Sequence, residues 1–330
     1  MFKITSNKKG ENSTVELSVS IPEEDVLKHR AHALEHLGEH AEIPGFRKGH
    51  VPENILVSKF GEQAVLEEAA EHAIEENYAD IVMESKVRPI AHPKIIITKI
   101  AKGNPLEFNL VIEVMPEVTL PDYKKIASKA DKKEKVEVTD KEVDDVISQF
   151  TKHYAKEGEE APELTDEFVK TLGDFQDVTD LKTKIKDNLF KEKEMQATSK
   201  RRSNIIGSIT KEAKVDVPAS LIERELDQMI HEFTYELSRM GQTLENYTTH
   251  AKKTEEDIRN EWREKAANRV AQELVLQKIA EAEKLEPNKE EVEKEVNHML
   301  EHYPNTPKER VVSFVEDMQL KQQVFKLLEE

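Results

Sequence analysis

Two prolines and two glycines enclose an aromatic residue and two cations in the segment from residue 43 to residue 52, which reads IPGFRKGHVP. This density of proline and glycine predicts a tight, exposed turn between two helices. The ring of Phe46 offers apolar or stacking contact, and Arg47 and Lys48 can bind phosphate or carboxylate groups. Two interpretations stay open on these residues alone. Either the loop is a docking site, or Phe46 turns inward as a plug and the cations are merely solvated.

The negative overall charge of the chain makes this short basic segment more informative about binding. The 330 residues carry a formal net charge of -18. An acidic protein repels nucleic acid on average, so contact with RNA requires a small and concentrated basic site. A second basic group lies in the middle of a predicted helix, where a solvated patch with acidic neighbours is the default interpretation. It consists of Lys200, Arg201 and Arg202.

The sequence contains few patterns that support catalysis. It has no cysteine, which excludes disulfides, thiolate catalysis and cysteine-ligated zinc, and which fits a cytosolic protein. It also lacks a glycine-rich phosphate loop, a nucleophile elbow and an HExxH motif, so we predict no ATP use, no catalytic residue and no cofactor. No apolar run reaches membrane-spanning length and the start of the sequence is polar. We therefore expect a soluble, cytoplasmic protein with no membrane partner.

Four histidines on the first predicted helix form a candidate metal site. Their spacing places them along one side of the helix, at His29, His32, His36 and His40. His36 and His40 can ligate a metal ion with Glu39 or Glu42 nearby, but such pairs often lack a closed set of ligands. A solvated helix face is therefore the favoured interpretation, and we predict no metal site.

Residues 1–115 predict a compact α+β unit. Alternating apolar residues on both sides of a turn at Gly10 predict a β-hairpin. A helix follows, with Ser20 and Glu23 as its capping box, and it must end before Pro44. The order ββααα-ββ is completed by helices and then strands at 53–59, 62–85, 95–100 and 106–114.

The remaining sequence predicts an extended connector over 116–138 and then an all-α region over 139–330 with long, arm-like helices. Capping pairs mark several helix starts, among them Thr139 with Glu142 and Thr254 with Asp257. One predicted helix has an apolar face that includes Met229, Phe233 and Met240. Core packing is the default interpretation of these three residues, and binding of apolar segments of other proteins is the alternative.

Residues 45–52, GFRKGHVP, match the pattern G-F-R-x-G-x-x-P of a loop in the bacterial trigger factor family. Other segments resemble the same family, namely VMPEVTLPDYKKI, PELTDEFVKTLG, VDVPASLIERELDQMI and AANRVAQELVLQKIAEAEKLEPNKEEVEKEV. The resemblance covers most of the chain, and the loop is its most specific part. It implies an α+β ribosome-binding domain followed by an extended, all-α chaperone domain.

The resemblance also implies a function. Members of this family are ATP-independent holdases that bind beside the tunnel exit of the large ribosomal subunit and shield emerging polypeptides. Carried over to this sequence, contact with a ribosomal protein and rRNA falls to Phe46, Arg47 and Lys48, while Gly45, Gly49 and Pro52 shape the loop. The resemblance makes the apolar face at Met229, Phe233 and Met240 a candidate client-binding surface, while core packing stays the favoured interpretation of each residue. The resemblance also allows a homodimer of the free chain.

One departure from the family concerns an enzymatic domain. Members usually carry an FKBP-like prolyl-isomerase domain, but residues 152–162 join the flanking segments directly and leave no room for a domain. We therefore predict that the chain has no isomerase activity. Two alternatives remain open, which are a prolyl isomerase like full-length members and a ribosome-independent holdase or assembly factor.

Overall fold

The computed structural model describes residues 2–41, 43–44, 46–47, 49–130, 135–154 and 164–330. The chain divides into two compact units, and each unit is discontinuous in sequence. Unit 1 consists of Met1–Thr119 and Lys214–Leu274, and unit 2 consists of Leu120–Ala213 and Val275–Glu330. This division follows contacts in space, whereas the boundaries predicted from sequence at 115 and 138 divide the chain into consecutive segments and stay a prediction.

Unit 1 contains an antiparallel sheet of four strands in the order β1-β2-β4-β3. The strands are β1 (Lys3–Lys9), β2 (Thr14–Ile21), β3 (Lys94–Lys99) and β4 (Leu106–Glu113). The two central strands alternate between buried and less buried residues, and the buried ones face each other in pairs such as Leu17 with Leu110 and Val19 with Phe108. Period-two alternation places the buried apolar side chains of each central strand on one face. The predicted hairpin and later strands are confirmed.

Four helices complete the N-terminal part of unit 1, namely α1 (Glu23–Leu27), α2 (Arg30–His40), α3 (Glu53–Phe60) and α4 (Glu62–Ser85). The apolar residues of α4, including Val65 and Ile74, share one core with the sheet. The predicted first helix is interrupted between α1 and α2. Its predicted capping box is wrong, because Ser20 belongs to β2. Glu23 instead accepts a hydrogen bond from the backbone N–H of Gly103 at 2.6 Å.

The second segment of unit 1 begins with a short ribbon. Strand β5 (Val118–Thr119) pairs antiparallel with β6 (Lys214–Val215), a strand that the all-α prediction for this region missed. Helices α9 (Ala219–Arg239), α10 (Leu244–Ala251) and α11 (Glu255–Ala282) follow. Asp216, next to β6, accepts a hydrogen bond at 2.7 Å from the backbone N–H of Ser13. This bond adds to the ribbon in joining the two sequence segments of unit 1.

Unit 2 is helical. Besides the end of α11 it contains α5 (Tyr123–Ala130), α6 (Asp140–Tyr154), α7 (Asp166–Leu172), α8 (Val178–Glu212), α12 (Lys289–His302) and α13 (Lys308–Leu328). Helix α5 lies inside the predicted extended connector and packs against α8. Valines at 292, 296, 311 and 315 form a core between α12 and α13. Within the described ranges, every helix is too short or too polar to cross a bilayer.

Candidate functional site

The loop from residue 43 to residue 52 connects α2 to α3, and apolar residues hold both of its ends. Ala41, before the loop, and Leu56, after it, are buried in the core of unit 1. Ile43 and Val51 are partly buried and pack against the same core. Burial of both ends removes them from water and leaves the residues between them to form the exposed tip.

The loop backbone is held by its own hydrogen bonds. The N–H of Phe46 donates to the carbonyl oxygen of Ile43 at 3.1 Å, and the N–H of His50 donates to that of Arg47 at 3.0 Å. These two bonds close successive turns, as the proline and glycine content predicts. Gly49 has a φ of +76°, a backbone conformation that residues with a Cβ atom rarely adopt. The backbone conformation at position 49 therefore favours glycine.

The side chains at the tip point to solvent. Phe46 is 41% exposed, and Arg47 and His50 are exposed as well. Among the residues that the structure describes, no carboxylate pairs with Arg47. An inward-facing plug does not describe Phe46 at this exposure. Gly45 and Lys48, the two other predicted docking residues of the tip, lie outside the described residues.

The far end of the loop is fixed by Pro52 and by an ion-pair cluster. The carbonyl oxygen of Pro52 accepts hydrogen bonds from the first turn of α3. The next residue, Glu53, bonds the guanidinium of Arg30, which also bonds Glu62 at 3.1 Å. The hydrogen bond to Glu53, followed by that to Glu62, raises the pKa of Arg30 above its ordinary value. Glu53 is thus already paired and does not neutralise Arg47.

The three predicted client-binding residues occupy different environments. Met229 is 4% exposed and packs in a core with Leu226 and Ala266, so the core interpretation describes its position. Phe233 is half-buried, and its ring lies edge-on to those of Tyr247 and Trp262, with centroids 4.9 Å and 5.4 Å away. Met240, at the end of α9, is 72% exposed. Only Met240 is positioned on the surface for contact with another chain.

The histidines of α2, and His29 just before it, do not form a simple solvated face. His29 lies 3.0 Å from a carboxylate oxygen of Glu76, and His36 lies 2.5 Å from one of Glu68, both on α4. The ring of His32 contacts that of His72, also on α4. The partners on α4 could not be recognised from the sequence, because their proximity depends on how α2 packs against α4. The side chain of His40 and all of Glu42 lie outside the described residues.

The basic triplet of α8 is engaged within unit 2. Arg202 donates through Nε and Nη2 to the two carboxylate oxygens of Glu329, at 2.9 Å and 3.2 Å. Arg201 also reaches the backbone oxygen of Glu329, at 3.4 Å. The side chain of Arg201 is 15% exposed and that of Arg202 is 33% exposed. Arg201 and Arg202 are therefore bound to Glu329 and do not form the predicted solvated patch. The loop at 43–52 is the stronger docking candidate.

An α+β unit with a sheet and four helices presents the exposed side chains of Phe46 and Arg47 on a turn, and a helical unit completes the described chain, an arrangement that fits a binding protein with a helical second half. Two family models match the chain, the bacterial trigger factor protein (TF) over residues 2–150 and the bacterial trigger factor protein (TF) C-terminus over residues 177–330. The chain belongs to the bacterial trigger factor family of chaperones, as its sequence predicts. The two matches leave only residues 151–176 between them.

Curated relatives agree with this assignment. Trigger factor of Halothermothrix orenii is 27% identical over 387 aligned positions, which cover 91% of this chain and 90% of the relative. Trigger factors of Staphylococcus epidermidis and Carboxydothermus hydrogenoformans are each 25% identical, covering 91% and 93% of this chain and 89% and 93% of the relative. These alignments have more positions than the chain has residues, so the relatives contain sequence that this chain lacks.

A solved structure also shares the fold. It comes from work on "Promiscuous Substrate Recognition in Folding and Assembly Activities of the Trigger Factor Chaperone" and superimposes with a TM-score of 0.51. The match covers 99% of this chain and 100% of the solved one at 19% sequence identity. The likeness supports the predicted fold class, an α+β N-terminal region followed by a helical one.

Proposed function

We propose that this protein is an ATP-independent, cytoplasmic holdase that docks on the large ribosomal subunit beside the tunnel exit and shields nascent polypeptides. The observation that carries the proposal is the exposed pair of Phe46 and Arg47 on a loop whose backbone is tied down. Membership of the trigger factor family supports it, and no described feature favours the ribosome-independent alternative.

The chemistry of the loop fits a ribosomal surface. A guanidinium binds phosphate or carboxylate groups through two parallel hydrogen bonds, and an exposed ring adds apolar or stacking contact. The chain as a whole has a net charge of -18 and is repelled by RNA. Binding through a few local cations is therefore weak and sensitive to salt, which suits a protein that binds and releases without a nucleotide cycle.

Co-sedimentation with ribosomes tests the docking loop. The variant Phe46→Ala/Arg47→Ala/Lys48→Ala is expected to stay in the supernatant, whereas the unmodified chain pellets with ribosomes at low salt and is released as salt rises. The matched control is Phe190→Ala/Lys191→Ala, which removes an exposed aromatic residue and its neighbouring cation from α8. Equal pelleting of the loop variant and the control would show that the loop is not the dock.

We also propose that the chain is not an enzyme. The segment between the two family matches, residues 151–176, is far too short to fold as a domain. A refolding assay limited by proline isomerisation tests this point, and the purified chain is expected to leave the slow phase unchanged. Acceleration of that phase in proportion to chain concentration would overturn the proposal. The resemblance also allows a homodimer of the free chain, which sedimentation velocity of the ribosome-free protein tests.

A further inference from the structure

Helices α2 and α4 bring two histidines and a glutamate to one point in unit 1. Nδ1 of His36 lies 2.5 Å from Oε1 of Glu68, and Nε2 of His72 lies 3.6 Å from the same oxygen. One ligand atom from each of the three side chains lies within 4.8 Å of the other two. Glu68 and His72 are four residues apart on α4, which places them on the same face of the helix.

The ring of His72 has an unsatisfied nitrogen at the centre of this cluster. Its Nε2 is buried and has no hydrogen-bond partner in the described part of the chain. The separation of 3.6 Å from Glu68 is too long for a hydrogen bond. A buried polar atom without a partner is costly and calls for an explanation, of which an ion is one. On the other side of the ring, Oε2 of Glu75 lies 3.9 Å from Nδ1, which is also too long for a hydrogen bond.

The donor set selects the kind of ion. Two imidazole nitrogens and one carboxylate oxygen are ligands that zinc prefers, whereas calcium and magnesium favour oxygen ligands. In a tetrahedral zinc site the ligand atoms lie roughly 3.3 Å apart. Small side-chain adjustments bring the three atoms to that spacing. A fourth position remains for water or for His32, whose ring centroid lies 4.3 Å from that of His72.

We propose that His36, Glu68 and His72 form a binding site for a zinc-class divalent cation. Such an ion joins α2 to α4 by coordinate bonds in place of the hydrogen bond between His36 and Glu68. Helix α2 is also the element from which the exposed loop departs, and its last turn accepts a hydrogen bond from Gly49 of that loop. Metal binding therefore stabilises the helix that carries the loop, independently of whether the loop docks on ribosomes.

Isothermal titration of the chelator-treated chain with zinc chloride tests the site. The unmodified chain is expected to bind one zinc ion tightly, and His36→Ala and Glu68→Gln are each expected to weaken that binding by more than about tenfold. Both replaced side chains are at least partly exposed, so the variants are expected to fold, which far-UV circular dichroism checks. His72→Ala should abolish the same binding event.

The matched control removes a pair of histidines elsewhere. His298 and His302 lie one turn apart on α12 with ring centroids 4.9 Å apart, and this pair can bind zinc by itself. The variant His298→Ala/His302→Ala is expected to keep the tight event. In thermal unfolding, zinc should raise the midpoint of the unmodified chain and of this control, but not that of His36→Ala. Absence of tight binding, its persistence in His36→Ala and Glu68→Gln, or its loss in the control would each overturn the proposal.

Discussion

The backbone N–H of Gly49 donates a hydrogen bond to the carbonyl oxygen of Gly38, with 3.1 Å between nitrogen and oxygen. Gly38 lies in the last turn of α2, where carbonyl groups have no partner within the helix. The bond therefore satisfies the helix end and fixes the returning half of the loop. Because backbone atoms do this work, the side chains of Phe46 and Arg47 stay available for a partner.

The conformation of Gly49 predicts a coupling between loop shape and ribosome binding. Gly49→Ala places a Cβ at a φ of +76°, which we expect to cost about 1 kcal/mol in free energy of unfolding and to weaken co-sedimentation with ribosomes. Urea unfolding and pelleting assays measure the two effects. Gly103→Ala is the matched control, because Gly103 has a φ of +79° in the turn between β3 and β4. It should lose similar stability yet pellet normally, and equal loss of pelleting would contradict the role of loop shape.

Substitutions of Met229, within α9, and of Met240, at its C-terminal end, distinguish core packing from client contact. Met229→Ala is expected to lower the free energy of unfolding by about 2–4 kcal/mol, because it leaves a cavity beside Trp262. Met240→Ser is expected to change it by less than about 0.5 kcal/mol, since Met240 is 72% exposed. Urea unfolding followed by fluorescence of the single tryptophan measures both changes.

Suppression of client aggregation tests Met240 for client binding. Met240→Ser should suppress aggregation of an unfolded client less well than the unmodified chain, because it removes exposed apolar surface. Met83→Ser, which replaces a methionine 68% exposed on α4, serves as the control and should keep full activity. An unchanged activity of Met240→Ser would remove Met240 from the client-binding surface.

The capping box at the start of α6 predicts an acid-sensitive contact in unit 2. The hydrogen bond from Lys193, followed by those from the backbone and hydroxyl of Thr139, lowers the pKa of Glu142 from 4.5 to about 2. A depressed folded-state pKa gives stability that is present above the unfolded pKa and is lost as the pH falls toward the folded one. The loss therefore falls between pH 4.5 and about 2.

Replacing Glu142 tests this assignment. Glu142→Gln should flatten the fall of the urea midpoint as the pH is lowered from about 5 to about 3, because one linked proton is removed. Glu293→Gln, at an exposed position of α12, is the control and should leave the curve of the unmodified chain in place. Identical curves for Glu142→Gln and the unmodified chain would contradict the prediction.

The pairing of Arg202 with Glu329 predicts a contribution of the last helix to the stability of unit 2. Glu329→Gln is expected to lower the free energy of unfolding by about 1 kcal/mol, since it weakens a bidentate and partly buried ion pair. Glu281→Gln disrupts the more exposed pair of Lys278 and Glu281 and should cost less than about 0.5 kcal/mol. Equal effects in urea unfolding would show that the C-terminal pairing has no special weight.

Features set by local sequence could be predicted. The hairpin of β1 and β2 follows from alternation, and the capping boxes at Thr139 and Thr254 form the hydrogen bonds that their spacing predicts. The turn at residues 43–52 follows from its prolines and glycines, whereas the residues alone leave open whether Phe46 points outward or inward. In each case the interacting groups lie close together in sequence, so the local residue pattern is enough to predict the contact.

Features that depend on long-range packing could not be predicted. The interruption between α1 and α2 and the position of α5 in the assumed connector depend on what each helix packs against. Strand β6 is two residues long and carries no recognisable pattern, because its partner lies on a distant part of the chain. The cluster of His36 with Glu68 and His72 likewise requires two helices to meet. The spacing of His29, His32, His36 and His40 can be read from the sequence, but their partners on α4 cannot.

The ribbon of β5 and β6 can form only late in the synthesis of the chain. Residues 118–119 leave the ribosome roughly a hundred residues before their partners at 214–215, and closing so long a loop is entropically unfavourable until other contacts reward it. All residues of the four-stranded sheet and of α1–α4, in contrast, precede residue 114. The sheet and α1–α4, with the exposed tip at Phe46, are therefore synthesised first, and we expect them to fold while most helices of unit 2 are still being made. On the docking role proposed above, a growing copy completes its ribosome-binding loop before it completes its helical region.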